Sequence, residues 1–328
     1  MSVAPSTPVA GRLRIAIVGA GMAGLACADA LVAQGHAVTL FDKARGPGGR
    51  MSTRRLATPI GEASFDHGAQ YFTVRDPAFQ AVVTDWAARG VAQRWPVAGP
   101  DAWVGVPAMS VVVRDMAARH EAHFGIMVQG IARVGRGWRL IGVHLPPDSF
   151  DAVIVAVPAE QAAALLGPID LAMARSALMA RSQPCWTAMF AFAAPLATDL
   201  TILRDRGVIG WAARNSAKPG RGVVEAWVVQ GNGTWSAQHL EDEPAAVKPL
   251  LLAALARALG YDLPPPIEST AHRWRYAMSA GFGDGALWNA QLGIGACGDW
   301  LLGPRVESAW LSGTALAAAL GEQALAVA

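Results

Sequence analysis

The chain contains few of the residues that mark disulfide-rich, metal-binding or nucleic-acid-binding proteins. Only three of its 328 residues are cysteines, Cys27, Cys185 and Cys297, and they form no C-x-x-C pair. This spacing argues against both a disulfide framework and a thiolate metal site. Charged residues make up 16% of the chain and its net charge is +2, too small an excess to indicate a nucleic-acid partner. We therefore expect a reduced, cytoplasmic protein without a metal site.

Long apolar segments are absent as well. A membrane-spanning helix needs about 20 consecutive apolar residues, and the apolar stretch from Leu250 to Leu259 is shorter and contains Arg257. Residues 1–10 lack the charged start and long apolar stretch of a signal peptide. We expect residues 1–12 to be a flexible tail and predict no membrane contact. A length of 328 residues with 53% hydrophobic content favours two closely joined domains.

The most informative segment that is present is a glycine motif near the start of the chain. Residues 15–18 are apolar and rich in β-branched side chains, which predicts a buried strand. Gly19, Gly21 and Gly24 follow at G-x-G-x-x-G spacing. In this pattern the first glycine allows a tight turn, the second lets the backbone approach a pyrophosphate, and the third lets helix and strand pack closely. The free N–H groups of the following helix would bind the phosphates.

The residues after the motif complete a dinucleotide-binding unit. A helix is predicted from about Ala23 to Gln34, and a second strand from Ala37 to Phe41 ends at Asp42, whose carboxylate can accept hydrogen bonds from both ribose hydroxyls. A second glycine-rich segment, Gly46–Met51, follows directly, and a plain NAD-binding domain does not need it. Basic residues lie around this segment: Lys43, Arg45, Arg54 and Arg55. We interpret Arg54 and Arg55 as a solvated basic rim.

The rest of the chain alternates helix and strand patterns. Helices are predicted at 77–90, at 110–120 with Ser110 as N-cap, at 160–180 with a break near 167–168, at 244–260, and from near Glu307 to about 326. Strands are predicted at 126–134, 138–143, 151–158, 187–193, 208–212, 223–229 and 292–299, and a loop-rich region is expected between Trp95 and Trp103. We find neither an internal repeat nor a low-complexity segment beyond alanine-rich helices.

Six sequence blocks together resemble one enzyme family. They read GPGGRMSTRR from Gly46, GAQYFT from Gly68, WVGVPAMS from Trp103, AHRWRYA from Ala271, CGDW from Cys297 and RVESAWLSG from Arg305. In this order they resemble the bacterial renalases, and the first block also resembles the second phosphate-contacting motif of flavoprotein oxidases and desaturases. The resemblance implies an α/β fold in which an FAD-binding Rossmann-type, glutathione-reductase-like domain (13–75, 122–160 and 290–328) is interrupted by an α+β substrate domain (76–121 and 161–289).

The resemblance also implies which residues contact FAD. Arg50 would contact the pyrophosphate region, Val128 the adenine and Asp299 the ribityl chain, while the backbone of Val306 and Glu307 would face the pyrimidine edge of the flavin. At that edge, helix N–H dipoles would stabilise the negative charge of the reduced flavin. The full predicted set of cofactor contacts is Gly19, Gly21, Ala23, Gly24, Asp42, Lys43, Gly49, Arg50, Met51, Gln70, Tyr71, Val128, Asp299, Val306 and Glu307.

A substrate pocket for hydride transfer needs a stacked, water-poor environment rather than a nucleophile. Tyr71 and Trp274 are the preferred pocket aromatics, and Trp211 and Trp300 are weaker candidates. His272 lies beside Trp274 and is either a site residue or a structural histidine; the same alternatives apply to His67. Gln230 stands where renalases often have a histidine, a departure that affects how the substrate is oriented.

The resemblance implies an FAD-dependent oxidase that converts misreduced 2- or 6-dihydro isomers of NAD(P)H to NAD(P)+. Hydride would pass to flavin N5, and dioxygen would be reduced to hydrogen peroxide. The expected partners are therefore a dihydropyridine dinucleotide and O2. A flavin amine oxidase or a desaturase shares the FAD motifs and is the enzyme alternative. A flavin-bound sensor is the non-enzyme alternative.

Overall fold

The computed structural model describes residues 11–326, so residues 1–10 of the predicted tail lie outside the described part. The strands are β1 (Arg14–Val18), β2 (Ala37–Asp42), β3 (Thr53–Thr58), β4 (Gly61–Asp66), β5 (Phe72–Thr73), β6 (Ala92–Arg94), β7 (Ala102–Gly105), β8 (Glu121–Phe124), β9 (Val128–Val134), β10 (Gly137–Gly142), β11 (Ala152–Val155), β12 (Ser182–Phe192), β13 (Ile202–Arg206), β14 (Ile209–Arg214), β15 (Glu225–Gly231), β16 (Glu268–Ser279), β17 (Leu287–Asn289) and β18 (Ile294–Ala296). The helices are α1 (Met22–Ala33), α2 (Pro77–Ala88), α3 (Ser110–Ala117), α4 (Ala159–Leu166), α5 (Leu171–Met179), α6 (Gly233–Gln238), α7 (Pro244–Leu259), α8 (Asp299–Leu302) and α9 (Val306–Ala326).

The first of two large sheets has six strands in the order β17-β18-β11-β1-β2-β8. Five of its strands run parallel, and only β17 is antiparallel. Side chains alternate between the two faces of a strand. In β1, Ile15 and Ile17 therefore enter the core with α1, α2, α3 and α9. Ala16 and Val18 face α4, α5 and the β9–β10 hairpin. The predicted α/β fold is confirmed.

The packing joins segments that the sequence analysis had separated. Helices α2 and α3 lie within residues 76–121, and α4 and α5 lie mostly within residues 161–289, both ranges assigned to the substrate domain. All four helices contribute buried side chains to the two cores of the parallel sheet. Helices α1 and α9 cross closely at Gly313, where a Cβ atom would overlap the carbonyl oxygen of Ala23. The glycine therefore permits this close approach.

The second large sheet is antiparallel and has five strands in the order β13-β14-β15-β12-β16. Its outer face packs on α7 through residues such as Trp186 and Trp227. Part of its other face packs under the β3–β4 hairpin through Met189 and Val228. Strand β12 lies between β15 and β16 and is covered on both faces, which explains why residues 185–192 are buried without interruption.

Two local predictions were wrong. Ser110 is the first residue of α3 and not its cap; Met109 holds the cap position, and the Ser110 hydroxyl is buried without a partner. The chain between Trp95 and Trp103 is mostly loop, as predicted, and strands β5, β6 and β7 form a small sheet beside it. The predicted strand 292–299 is confined to β18, and Asp299 begins α8. Within residues 11–326 no helix has the length and apolar character needed to cross a membrane.

Candidate active site

The glycine motif folds at the carboxyl end of β1 as its spacing requires. Gly19 has φ +112°, and a Cβ atom there would overlap the carbonyl oxygen of Ala156. A Cβ atom at Gly24 would overlap the carbonyl oxygen of Gly19. Gly21 differs, because a Cβ atom there would meet nothing within 4 Å. Two glycines are therefore needed for internal packing, and the middle one borders open space in front of α1.

The acid at the end of β2 is held beside this motif. The Ala20 N–H donates to one Asp42 carboxylate oxygen and the Ala44 N–H to the other, both at 2.8 Å. These two bonds fix the carboxylate at the edge where parallel strands β1 and β2 both end. Lys43 lies at the surface and donates to Gln161 at 3.2 Å.

The second glycine-rich segment packs against the first. Gly49 has φ +50°, and its nearest neighbour in the Cβ direction is the Cα atom of Gly21 at 3.9 Å. The Arg50 guanidinium forms a two-pronged ion pair with Asp299, with Nη1–Oδ2 at 2.8 Å, and donates to the Ala277 carbonyl at 3.0 Å. Met51 is buried. Residues 249 positions apart are thus joined at one end of the sheet.

Helix α9 begins at Val306 beside the same edge. The buried Glu307 carboxylate accepts hydrogen bonds from the Arg75 and Asp76 N–H groups at 2.6 and 2.7 Å. Its side chain therefore fixes the start of α2, and only its backbone is left for the predicted flavin contact. Val128 is buried at the start of β9.

Residues 67–71 run along the Gly46–Met51 segment. The Ala69 N–H donates to the Arg50 carbonyl at 2.7 Å, and a Cβ atom at Gly68 would overlap that same carbonyl. The Gln70 amide donates to the carbonyls of Asp66 and Gly68. This segment lies between the glycine motifs and the antiparallel sheet.

The face of the antiparallel sheet that meets residues 67–71 carries a polar row, and we call it the inner face. Trp211 pairs with Gln230, Gln230 with Thr187, and Thr187 with His272, so the four side chains lie in register across β14, β15, β12 and β16. The Gln230 amide donates to the Gly68 carbonyl at 2.9 Å.

Aromatic side chains border the space between residues 67–71 and the inner face on two sides. The Tyr71 ring lies 5.2 Å from Trp211 and 6.4 Å from Trp95, measured between ring centroids. The Trp274 indole donates to the His67 carbonyl at 2.8 Å. The structure therefore brings together five predicted substrate-site residues: Tyr71, Trp211, Gln230, His272 and Trp274. Trp300 does not join them, since it is buried in the core beneath α4 and α5.

Two histidines at the site are held uncharged. The ring of His67 lies 5.1 Å from those of His272 and Trp274. Burial lowers the pKa of His272 to about 4, and the nearby charge of Arg54 adds to this effect. Burial also lowers the pKa of His67 to about 3, with smaller contributions from His272 and Arg54. Both imidazoles are neutral at pH 7.

A buried charge cluster behind residues 67–70 was missed by the sequence analysis. Asp66 is fully buried and pairs with Lys218 at 3.2 Å and with Arg221. Lys218 also donates to Gln70 at 3.2 Å and lies over the Trp95 ring. Burial opposes the charge of Asp66, but the two cations together with hydrogen bonds lower its pKa to about 2. Burial lowers the pKa of Lys218 to about 8.

The donor set at the parallel-sheet edge fits FAD. Cβ atoms at Gly21 and Gly46 would enter open space, and no side chain caps the first turn of α1, so its N–H groups are available to phosphates. Asp42 is fixed as a ribose acceptor, and Arg50 and Asp299 lie at the far end of the same groove. These residues would hold the dinucleotide part and the ribityl end of the cofactor respectively.

Comparison with known proteins agrees with this geometry. Residues 17–86 match the NAD(P)-binding Rossmann-like domain, and residues 92–320 match the flavin containing amine oxidoreductase family. A proposed protoporphyrinogen oxidase from Exiguobacterium sp. 255-15 has a similar fold, with TM-score 0.74 and 12% identity over 94% of this chain and 99% of that one. Cyclohexylamine oxidase from Brevibacterium oxydans IH-35A gives TM-score 0.70 and 14% identity over 95% and 99%. An oxidoreductase from Methanosarcina mazei gives 0.62 and 14% over 92% and 99%.

The family match covers well over half of the chain and includes the antiparallel sheet as well as α9. The solved structures share the fold at low sequence identity. The chain therefore belongs to the flavin containing amine oxidoreductase family and is an FAD-dependent oxidoreductase.

Proposed function

We propose that this protein is an oxidase of 2- or 6-dihydro isomers of NAD(P)H, the reaction of the renalases. The substrate loses a hydride and becomes NAD(P)+, and the two electrons and a proton pass on to dioxygen, which with a further proton becomes hydrogen peroxide. The ordered blocks from GPGGRMSTRR to RVESAWLSG support this choice within the wider family. The biological role would be removal of isomers that occupy dehydrogenase sites unproductively.

The observation that carries the proposal is the neutral polar row beside residues 67–71. Gln230 and His272, which are both half-buried, offer neutral hydrogen-bonding groups between aromatic walls. The acid nearest to this segment, Asp66, is already paired with two cations. Within residues 11–326, a cationic amine or diamine would find no free carboxylate beside this row. A flat, neutral dihydropyridine ring with a carboxamide group matches both the aromatic walls and the polar row.

Each side chain then has a role in placing the ring. FAD, when bound, supplies the acceptor for the hydride and the route to dioxygen. Trp274 and Tyr71 restrict the ring to one plane and exclude water. Gln230 is fixed through its N–H bond to Gly68 and has a side-chain oxygen that accepts no hydrogen bond within residues 11–326, so this oxygen can accept from the substrate carboxamide. A ring held in one orientation presents one edge, which separates positions 2 and 6 from position 4.

Anaerobic rapid mixing tests the proposal. Bleaching of the flavin absorbance would be followed with the 2- and 6-dihydro isomers, with ordinary 4-dihydro NAD(P)H, and with cyclohexylamine and putrescine. We expect at least one of the first two compounds to bleach the flavin within about a second, the others being far slower. Fast reduction by an amine, with both isomers inert, would instead make the protein an amine oxidase. Reduction by an isomer without subsequent turnover on dioxygen would favour a sensor.

A further inference from the structure

Strand β3 separates two neighbouring arginines onto opposite sides. Leu56 packs against Met189 and Val228, which lie on the inner face of the antiparallel sheet. Alternate residues of a strand share a side, so Arg54 points toward this sheet, where β3 lies beside β16. Arg55 points away, is largely exposed and pairs with Glu62 at 3.5 Å. The solvated-rim interpretation therefore suits Arg55 but was wrong for the half-buried Arg54.

The polar side chains of Arg54, His67 and His272 meet at this edge. Within residues 11–326, the Arg54 guanidinium makes neither an ion pair nor a hydrogen bond, and only the backbone of Arg54 is paired, in the β3–β4 ladder. His272 is half-buried; its imidazole contacts the rings of His67 and Trp274 but makes no hydrogen bond to the described chain. His67 is 5% exposed, and its Nδ1 atom is buried without a partner of proper geometry. A buried polar atom left unpaired is costly, and the unpaired guanidinium beside it offers charge-assisted donors to a ligand.

The charges around the three residues leave this edge positive. The neighbouring carboxylate, Asp66, favours the charged form of His67 but is itself paired with Lys218 and Arg221. On β16 the flanking Arg273 and Arg275 pair with Glu241. Nothing in the described chain therefore offsets Arg54 locally.

We propose that Arg54, His67 and His272 form an anion-binding site at the β16 edge of the inner face, and that its occupant is the phosphate of a nucleotide substrate. The choice of a nucleotide as the source of the phosphate rests on the proposed function, whereas the anion site itself does not. Arg54 supplies a permanent charge-assisted donor, and the two imidazoles lie behind it.

Anion binding at this site is coupled to protons. The charge of Arg54 helps to hold the pKa of both histidines low. An anion that pairs with Arg54 cancels this effect and itself favours the charged imidazole, so the histidine pKa rises when the anion binds. By linkage the anion binds more tightly as the pH falls from 7 to 5, and binding takes up protons.

Sulfate is the probe, because its charge does not change between pH 5 and 8. Titration of the flavin-loaded protein would be followed by tryptophan fluorescence, since Trp274 touches both histidines. We expect saturable binding that tightens toward pH 5. Arg54→Gln should weaken it by about tenfold or more, the effect of one hydrogen bond to a charged group. Arg55→Gln removes the same charge one residue away and should bind sulfate like the wild type. His272→Gln should flatten the pH dependence.

The proposal is overturned if sulfate does not saturate a site, if Arg54→Gln binds as tightly as the wild type, or if both arginine variants weaken binding equally. Flavin content and unfolding midpoint of each variant show that it is folded. A second titration compares nicotinamide mononucleotide with nicotinamide riboside, which lacks the phosphate. We expect the mononucleotide to bind about tenfold more tightly, with the advantage lost in Arg54→Gln; equal binding would overturn the assignment of the occupant. Failure of the proposed function appears separately, as dihydro isomers that do not bleach the flavin.

Discussion

Replacing Asp66 by asparagine should cost several kcal/mol of stability, because one buried carboxylate neutralises two buried cations. Asp66 accepts hydrogen bonds from Thr53 Oγ1 and from the Met109 N–H, in addition to its pairing with Lys218 and Arg221. The change Asp66→Asn keeps the size of the side chain but removes the charge. The two cations then face each other without an anion.

The structure gives the size of this effect. The pKa of Asp66 falls from 3.8 to about 2 on folding, a shift that corresponds to a few kcal/mol of stabilisation. Breaking a buried pair by removing one partner typically costs about 3–5 kcal/mol. Lys218 can limit the loss by releasing its proton, since burial has already lowered its pKa to about 8. We therefore expect a loss of about 2–5 kcal/mol at pH 7.

Urea unfolding of the two flavin-loaded proteins measures the difference. The folded pKa of Asp66 lies below the unfolded one, so its stabilisation is complete above about pH 4 and is lost as the pH falls toward 2. The gap between wild type and Asp66→Asn should close across this window. Asp148→Asn is the control, because Asp148 pairs with Arg14 at the surface and should change stability by less than about 1 kcal/mol. If Asp66→Asn unfolds within 1 kcal/mol of the wild type at pH 7, the charge cluster does not act as described.

Three further predictions concern the cofactor, the lysine and the pocket. Gly21→Val should abolish flavin binding because its side chain would fill the open space in front of α1. Gly222→Val, at a position with ordinary contacts, is the control and should stay yellow; equal flavin content in the two variants would exclude this groove as the flavin site. The unfolding free energy of the wild type should rise by up to about 3 kcal/mol between pH 8 and 10.5, because the unfolded chain binds more protons there than the folded protein. Lys218→Met should remove this rise; if stability depends on pH in the same way in both proteins, a charged lysine is not buried at this position. Trp274→Ala should slow flavin reduction by a dihydro isomer about tenfold, the effect of about 1.4 kcal/mol, with Trp274→Phe in between; unchanged rates and affinities would remove Trp274 from the pocket.

Local spacing made part of the fold predictable from the sequence. Gly19, Gly21 and Gly24 lie within residues 19–24, so their spacing can be recognised in the sequence itself. Asp42 follows because parallel strands β1 and β2 end at the same edge. The meeting of Arg50 and Asp299 spans 249 residues, and only the family resemblance placed both of them at the cofactor.

Other features depend on packing that no local pattern reveals. Lys218 and Arg221 lie in a turn with no distinguishing motif, and their burial follows from the packing of that turn on Asp66. Arg54 and Arg55 look alike in sequence, and only the register of β3 separates them. Trp300 was a reasonable pocket candidate by its block, but α8 turns it into the core.

Isotopic labelling tests the central claim most directly. The substrate would be a 2- or 6-dihydro isomer carrying deuterium at the reduced ring carbon, and flavin bleaching would be recorded without oxygen. If the hydride leaves from that carbon, the label slows bleaching several-fold, while deuterium at position 4 has no effect. Bleaching that is insensitive to the label at position 2 or 6, or that is matched in rate by a simple amine, would contradict the account.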